Sequence, residues 1–289
     1  MTEDLEDWTR TLKRLETYDY VRCVVLRDRL LSVLVLLPIV VISVYLGGPF
    51  LLAIVLIGSL CAGGEYVRMT SGKGLLAPYF FISLLIVSFV LDAQWPDRDL
   101  IYWASTFIPL AALTFEVFRG NAPNSLQNWA FVISGGIYIG LLSYAIRLRA
   151  LDKGFFWLLL ALGGTWICDS AAYCVGSIWG KHSLCPKISP HKTWEGVTGA
   201  TVMGLVAVVT ASYLLLDLPL PWGSLLGFLI VMGATLGDLA ESVIKRQMKM
   251  KDSGKLIPGH GGMLDRIDNL LFVIPVVYYF VILIRHMGL

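Results

Sequence analysis

Asp265 and Asp268 stand three residues apart where the last apolar stretch of the chain begins. At that spacing two side chains share one face of a helix. Just upstream, residues 245–266 hold six bases (Lys245, Arg246, Lys249, Lys251, Lys255 and Arg266) and His260. Within this segment runs Pro258-Gly259-His260-Gly261-Gly262, where three glycines in four positions let backbone amides come close to a ligand. Bases alone would describe an ordinary cytoplasmic loop. An acid pair beside them is what a divalent cation bridging to phosphates needs. Hard oxygen ligands suit Mg²⁺, which keeps waters and takes one or two carboxylates plus phosphate oxygens.

A third acid, Asp238, follows Gly237 at the end of an uncharged stretch, and Glu241 and Ser242 continue the same helix. Asp169 lies inside another apolar stretch. Ionisable groups at membrane depth are costly and mark functional sites by default. A second polar cluster, residues 169–196, contains Gly176, Gly180-Lys181, Lys187, Ser189-Pro190-His191-Lys192 and Glu195-Gly196. It is not a P-loop: "GSIWGKHS" has three residues between its glycines where four are required, and His follows the lysine. His182, His191 and His260 lack metal-ligand spacing, so zinc is not expected. No G-x-S-x-G occurs, and nothing suggests a Ser-His-Asp nucleophile. Lys181, Lys187 and Lys192 form a second basic surface.

These clusters interrupt an oily chain of 289 residues, 56% hydrophobic and 15% charged, with a mean hydropathy of +0.72. Soluble domains carry about 25% charged residues. The composition therefore predicts an all-α, polytopic integral membrane protein, and no nucleic-acid partner is expected. Five cysteines without C-x-x-C spacing read as small apolar fillers. A span needs about 20 apolar residues. On that basis two spans fall within the uncharged residues 30–64, divided at Gly47-Gly48-Pro49. Others follow at 75–91, 100–115, 129–146, 155–175, 197–216, 220–237 and 270–284, nine in all. Residues 1–29 read as an amphipathic surface segment or a docked soluble helix, 30–148 as about five spans, and 149–289 as the catalytic region. Nine spans put loops 181–196 and 245–268 on one side, which their bases make cytoplasmic. Loop 92–99 falls on the other side, and so do Arg147, Arg149 and Lys153, against the same rule.

Residues 242–268, "SVIKRQMKMKDSGKLIPGHGGMLDRID", resemble the signature of the phosphatidate cytidylyltransferases, or CDP-diacylglycerol synthases. That signature reads S-x-apolar-K-R-x4-K-D-x-small-x2-apolar-P-G-H-G-G-apolar-x-D-R-apolar-D. "ISPHKTWEG" and the series Asp169, Tyr173, Gly176, Gly180, Lys181 are similar to the family as well. The resemblance covers about residues 165–270 and implies that CTP and phosphatidic acid give CDP-diacylglycerol and pyrophosphate. It implies Mg²⁺, a monovalent cation such as K⁺, and a homodimer. It implies Asp238, Asp265 and Asp268 as metal ligands, and Lys245, Arg246, Lys251, Asp252, His260 and Arg266 as catalytic residues that neutralise or arrange phosphates. Asp169, Tyr173, Lys181, Ser189, Lys192, Thr193, Glu195, Ser242, Gly259, Gly261 and Gly262 become candidate substrate contacts. A bacterial inner membrane with the site facing the cytoplasm fits the compact length. Two alternatives stay open: a CTP-dependent lipid kinase of the dolichol kinase type, which transfers the γ-phosphate, and a transporter.

Overall fold

The computed structural model describes residues 34–70, 76–120, 124–254, 256 and 261–288. The expected surface segment 1–29, Gly259 and His260 lie outside the described residues. Among the described residues, eight helices are long and apolar enough to cross a membrane: α2 (Gly48–Thr70), α3 (Leu76–Gln94), α4 (Leu100–Phe118), a span at Ser125–Ala150, α7 (Gly154–Trp179), α8 (Trp194–Leu216), α9 (Leu220–Gln247) and α10 (Leu264–His286). The span at Ser125–Ala150 comprises α5 (Ser125–Gly140), a 3-10 turn and α6 (Tyr144–Ala150). An apolar helix α1 (Leu34–Leu46) precedes them and covers the described part of the first expected span. The chain is an all-α polytopic membrane protein, its spans placed as the apolar runs indicate. The ends differ. α10 begins six residues earlier than its apolar run and so takes Asp265 and Asp268 into its first turns. One element was not expected: residues 183–193 form a hairpin of β1 (Ser183–Cys185) and β2 (Ser189–Thr193), in register Ser183↔Thr193 and Cys185↔Ser189.

Two groups of helices make the bundle. α2 to α5 pack on one another, as do α7 to α10, and α6 and α10 join the groups. The exposed side chains of the spans, such as Leu76, Phe107, Val206 and Leu214, are apolar, as lipid-facing positions require. Successive helices alternate in direction, so the described parts of the polar clusters at 169–196 and 238–269 gather at one end.

At the opposite end the bases that break the positive-inside pattern are engaged. Arg147 pairs with the buried Asp92. Arg149 donates to the carbonyls of Val44 (2.7 Å) and Tyr45 (3.0 Å), the last turn of α1, whose C-terminal carbonyls have no partner within the helix. Lys153 meets Asp217 at 3.1 Å and Arg285 meets Asp152 at 3.2 Å. Arg147 and Lys153 thus face carboxylates and Arg149 a helix C-terminus, which lowers their weight as free charges in the positive-inside pattern.

Candidate active site

α9 carries a polar stripe, Asp238, Glu241, Ser242 and Lys245, at helical spacing. α10 carries another, Asp265, Asp268 and Asn269. The stripes face each other because the helices touch at Gly237. A Cβ at that position would lie 2.8 Å from both the Asn269 Cα and the Asp268 carbonyl oxygen. This backbone approach sets Asp238 beside Asp268.

Two polar groups follow from this contact. In the first, Lys192 of β2 reaches Asp238, Nζ to Oδ2, at 2.6 Å. The Ser242 hydroxyl lies 3.4 Å from the other Asp238 oxygen. Asn269 Nδ2 donates to both oxygens of Asp169 on α7, at 2.9 and 2.8 Å. Asp268 is buried, with Asp238 near enough to repel it. In the second group, Lys245 lies between Glu241 (2.5 Å) and Asp265 (2.7 Å). Asp265 also accepts the Ser253 amide (3.1 Å), the Ser253 hydroxyl (2.9 Å) and the Gly262 amide (2.8 Å). Gly261, at φ +86°, turns the backbone so that the Gly262 amide points at that carboxylate.

The hairpin presents Lys192 to this site. Thr193 caps α8 by accepting the Gly196 amide at 3.1 Å. Glu195 accepts the amides of Lys181 and His182, each at 3.2 Å, and its other oxygen lies 2.6 Å from His182 Nδ1. Arg246 ties the hairpin to α9 through its Nε, which donates to the Ile188 carbonyl at 3.0 Å, and it reaches the Met250 carbonyl at 3.3 Å.

The structure therefore brings Asp169, Lys192, Asp238, Ser242, Lys245, Asp265 and Asp268 together. Thr193, Glu195, Ser189 and Arg246 build the hairpin and its anchor. Lys181, Lys251, Asp252 and Arg266 are exposed at the same end, and Tyr173 projects outward from α7. Three participants went unread in the sequence: Glu65, Ser253 and Asn269. Glu65 carried a signal, since it is the first charge after the uncharged residues 30–64. Ser253 and Asn269 carried none.

Among the described residues, no group of three or more His, Cys, Asp or Glu side chains forms a ready metal cage. The donor set nonetheless fits a hard cation. Asp169, Asp238, Glu241, Asp265 and Asp268 outnumber the neighbouring bases Lys192, Lys245 and Arg266. Two buried oxygens, Glu241 Oε1 and Asn269 Oδ1, have no hydrogen-bond partner. Both are oxygens with a lone pair to offer a cation or a water-borne donor. Asp265 is the exception, since its oxygens are already engaged by protein donors.

The sequence profile described as "Cytidylyltransferase family" matches residues 27–284. A phosphatidate cytidylyltransferase of Bacillus subtilis (strain 168) is 40% identical over 240 residues, 80% of this chain and 88% of that protein. One from Haemophilus influenzae (strain Rd) is 31% identical over 285 residues, 88% of this chain and 98% of that protein. One from Staphylococcus haemolyticus (strain JCSC1435) is 31% identical over 258 residues, 85% of this chain and 94% of that protein. With a match that runs through all eight long spans and both polar clusters, the chain belongs to the cytidylyltransferase family.

Proposed function

We propose that the chain transfers CMP from CTP to phosphatidic acid, making CDP-diacylglycerol and pyrophosphate. The observation that carries this reading is the meeting of the α9 and α10 polar stripes with Lys192 at one end of the spans. A lipid phosphate at the membrane edge and a nucleotide from water reach the same charged groups there. A phosphate oxygen of the lipid attacks the α-phosphorus of CTP. The bond from that phosphorus to the bridging oxygen breaks, and pyrophosphate leaves with the electron pair. Positioning and charge neutralisation carry most of such a reaction.

Asp238 and Asp268 would hold Mg²⁺, with Asp169 close by through Asn269. When bound, Mg²⁺ offsets the negative charge of the phosphate oxygens. Asp265 enters that shell only by giving up a bond to Lys245, Ser253 or Gly262. Its part in this reading is to orient Lys245. Lys192, Lys251 and Arg266 neutralise phosphates, and the 183–193 hairpin aims Lys192 at Asp238. K⁺ as a second cation, a homodimer and a bacterial inner membrane with this end in the cytoplasm complete the proposal.

The test uses purified protein, phosphatidic acid, Mg²⁺ and CTP labelled at either the α or the γ phosphorus. The α label is expected in lipid and the γ label in pyrophosphate. Entry of the γ label into lipid would replace this reading with a lipid kinase.

A further inference from the structure

α2 supplies one buried carboxylate to the catalytic end. Glu65 is 4% exposed. Its Oε1 accepts the Met263 amide at 3.0 Å, and its Oε2 accepts the Leu264 amide at 2.9 Å. These amides open α10, where the first N–H groups lack partners within the helix and the dipole favours an anion. The Ser253 hydroxyl lies 3.0 Å from Glu65 Oε2 and 2.9 Å from Asp265 Oδ2. It is thus held between carboxylates from two helices. A Cβ at Gly262 would collide with the Ser253 hydroxyl and Glu65, and one at Gly254 would collide with Glu65. Glycine at these two positions is what lets the loop close onto the carboxylate. Glu65 and Asp265 together hold the chain at Ser253 and again at residues 262–264.

We propose that Glu65 is a positioning residue for CMP transfer. It fixes the start of α10, and with it the placement of Asp268 and Arg266. It also fixes the segment bearing Lys251 and Asp252. Through it the N-terminal half of the bundle takes part in the reaction. This role rests on the transferase reading above.

The test uses the full chain in mixed micelles with phosphatidic acid. Glu65→Gln keeps the size but turns an amide donor toward N–H and O–H donors. Ser253→Ala removes only the shared hydroxyl. Glu116→Gln changes another buried acid, 8% exposed, on α4. The measurements are kcat, KM for CTP, the unfolding midpoint and amide hydrogen exchange over residues 249–264. Glu65→Gln is expected to lower kcat about 10- to 100-fold, the scale of a catalytic group displaced by about 1 Å, with a smaller change in KM. Exchange over 249–264 should speed up while α7 and α8 stay protected. Ser253→Ala should move both readouts the same way by less, and Glu116→Gln should leave kcat in place. Unchanged kcat and exchange in Glu65→Gln would overturn the proposal. So would a lower midpoint with kcat of the folded fraction intact. If Glu65→Gln does not fold, Ser253→Ala decides by the same two readouts. A wild-type protein without CMP transfer would defeat the transferase reading itself and this role with it, whereas an active wild type with unaffected variants defeats this role alone.

Discussion

Asp265 and Asp268 share a helix face, yet their surroundings are opposite. Asp265 is held by Lys245, the amide and hydroxyl of Ser253, and the Gly262 amide. Asp268 is 6% exposed, with the Asp238 carboxylate as its like-charged neighbour. Neutralising each should therefore move stability in opposite directions. Asp265→Asn breaks a buried charged network and should destabilise the protein by about 3 kcal/mol. Asp268→Asn removes repulsion between like charges. It should raise the unfolding midpoint in Mg²⁺-free detergent while lowering turnover at least about tenfold. Midpoints and turnover on the same samples check both. An Asp265→Asn protein of unchanged midpoint that merely demands more Mg²⁺ would make Asp265 a metal ligand. The i, i+3 spacing made the common face legible in the sequence. It could not say what each carboxylate meets, because Ser253 and Lys245 approach from outside α10.

Among the elements, α9 and α10 were legible because their apolar runs are long and their polar residues recur at helical spacing. The hairpin was not. Its strands are only three and five residues, with prolines at positions 186 and 190. It is held by tertiary bonds from Arg246 and Glu195, which local propensity does not reveal. Arg246→Lys tests that anchor, since it keeps the charge but loses the planar set of donors that reaches both Ile188 and Met250. Turnover should fall about tenfold, as for losing a hydrogen bond from a charged group. Wild-type turnover in Arg246→Lys would mean that only its charge matters. Gly237→Ala tests the helix contact. A methyl 2.8 Å from the α10 backbone must separate α9 from α10, costing about 1–3 kcal/mol and most of the activity.

For the whole molecule, alternation of helix direction places Lys187 and Lys251 at one end and Asp97 at the other. Single cysteines at these positions, in a background lacking the native ones, should report two sides of the membrane to an impermeant thiol reagent. Lys187→Cys and Lys251→Cys should react together, and Asp97→Cys from the opposite face. Any other grouping would contradict the arrangement of the spans. The sequence could not show that Arg147 meets an acid and Arg149 a helix end, because their partners at Asp92 and α1 lie far away in the chain. The same remoteness has a consequence for synthesis. Glu65 waits for amides 198 and 199 residues downstream, about 10–40 s at ordinary ribosomal rates. Until Met263 and Leu264 emerge, its carboxylate must stay hydrated at the membrane edge. The catalytic end therefore closes only after almost every span has been inserted, so a nascent chain stalled before Leu264 should leave α2 open to proteolysis or quality control at Glu65.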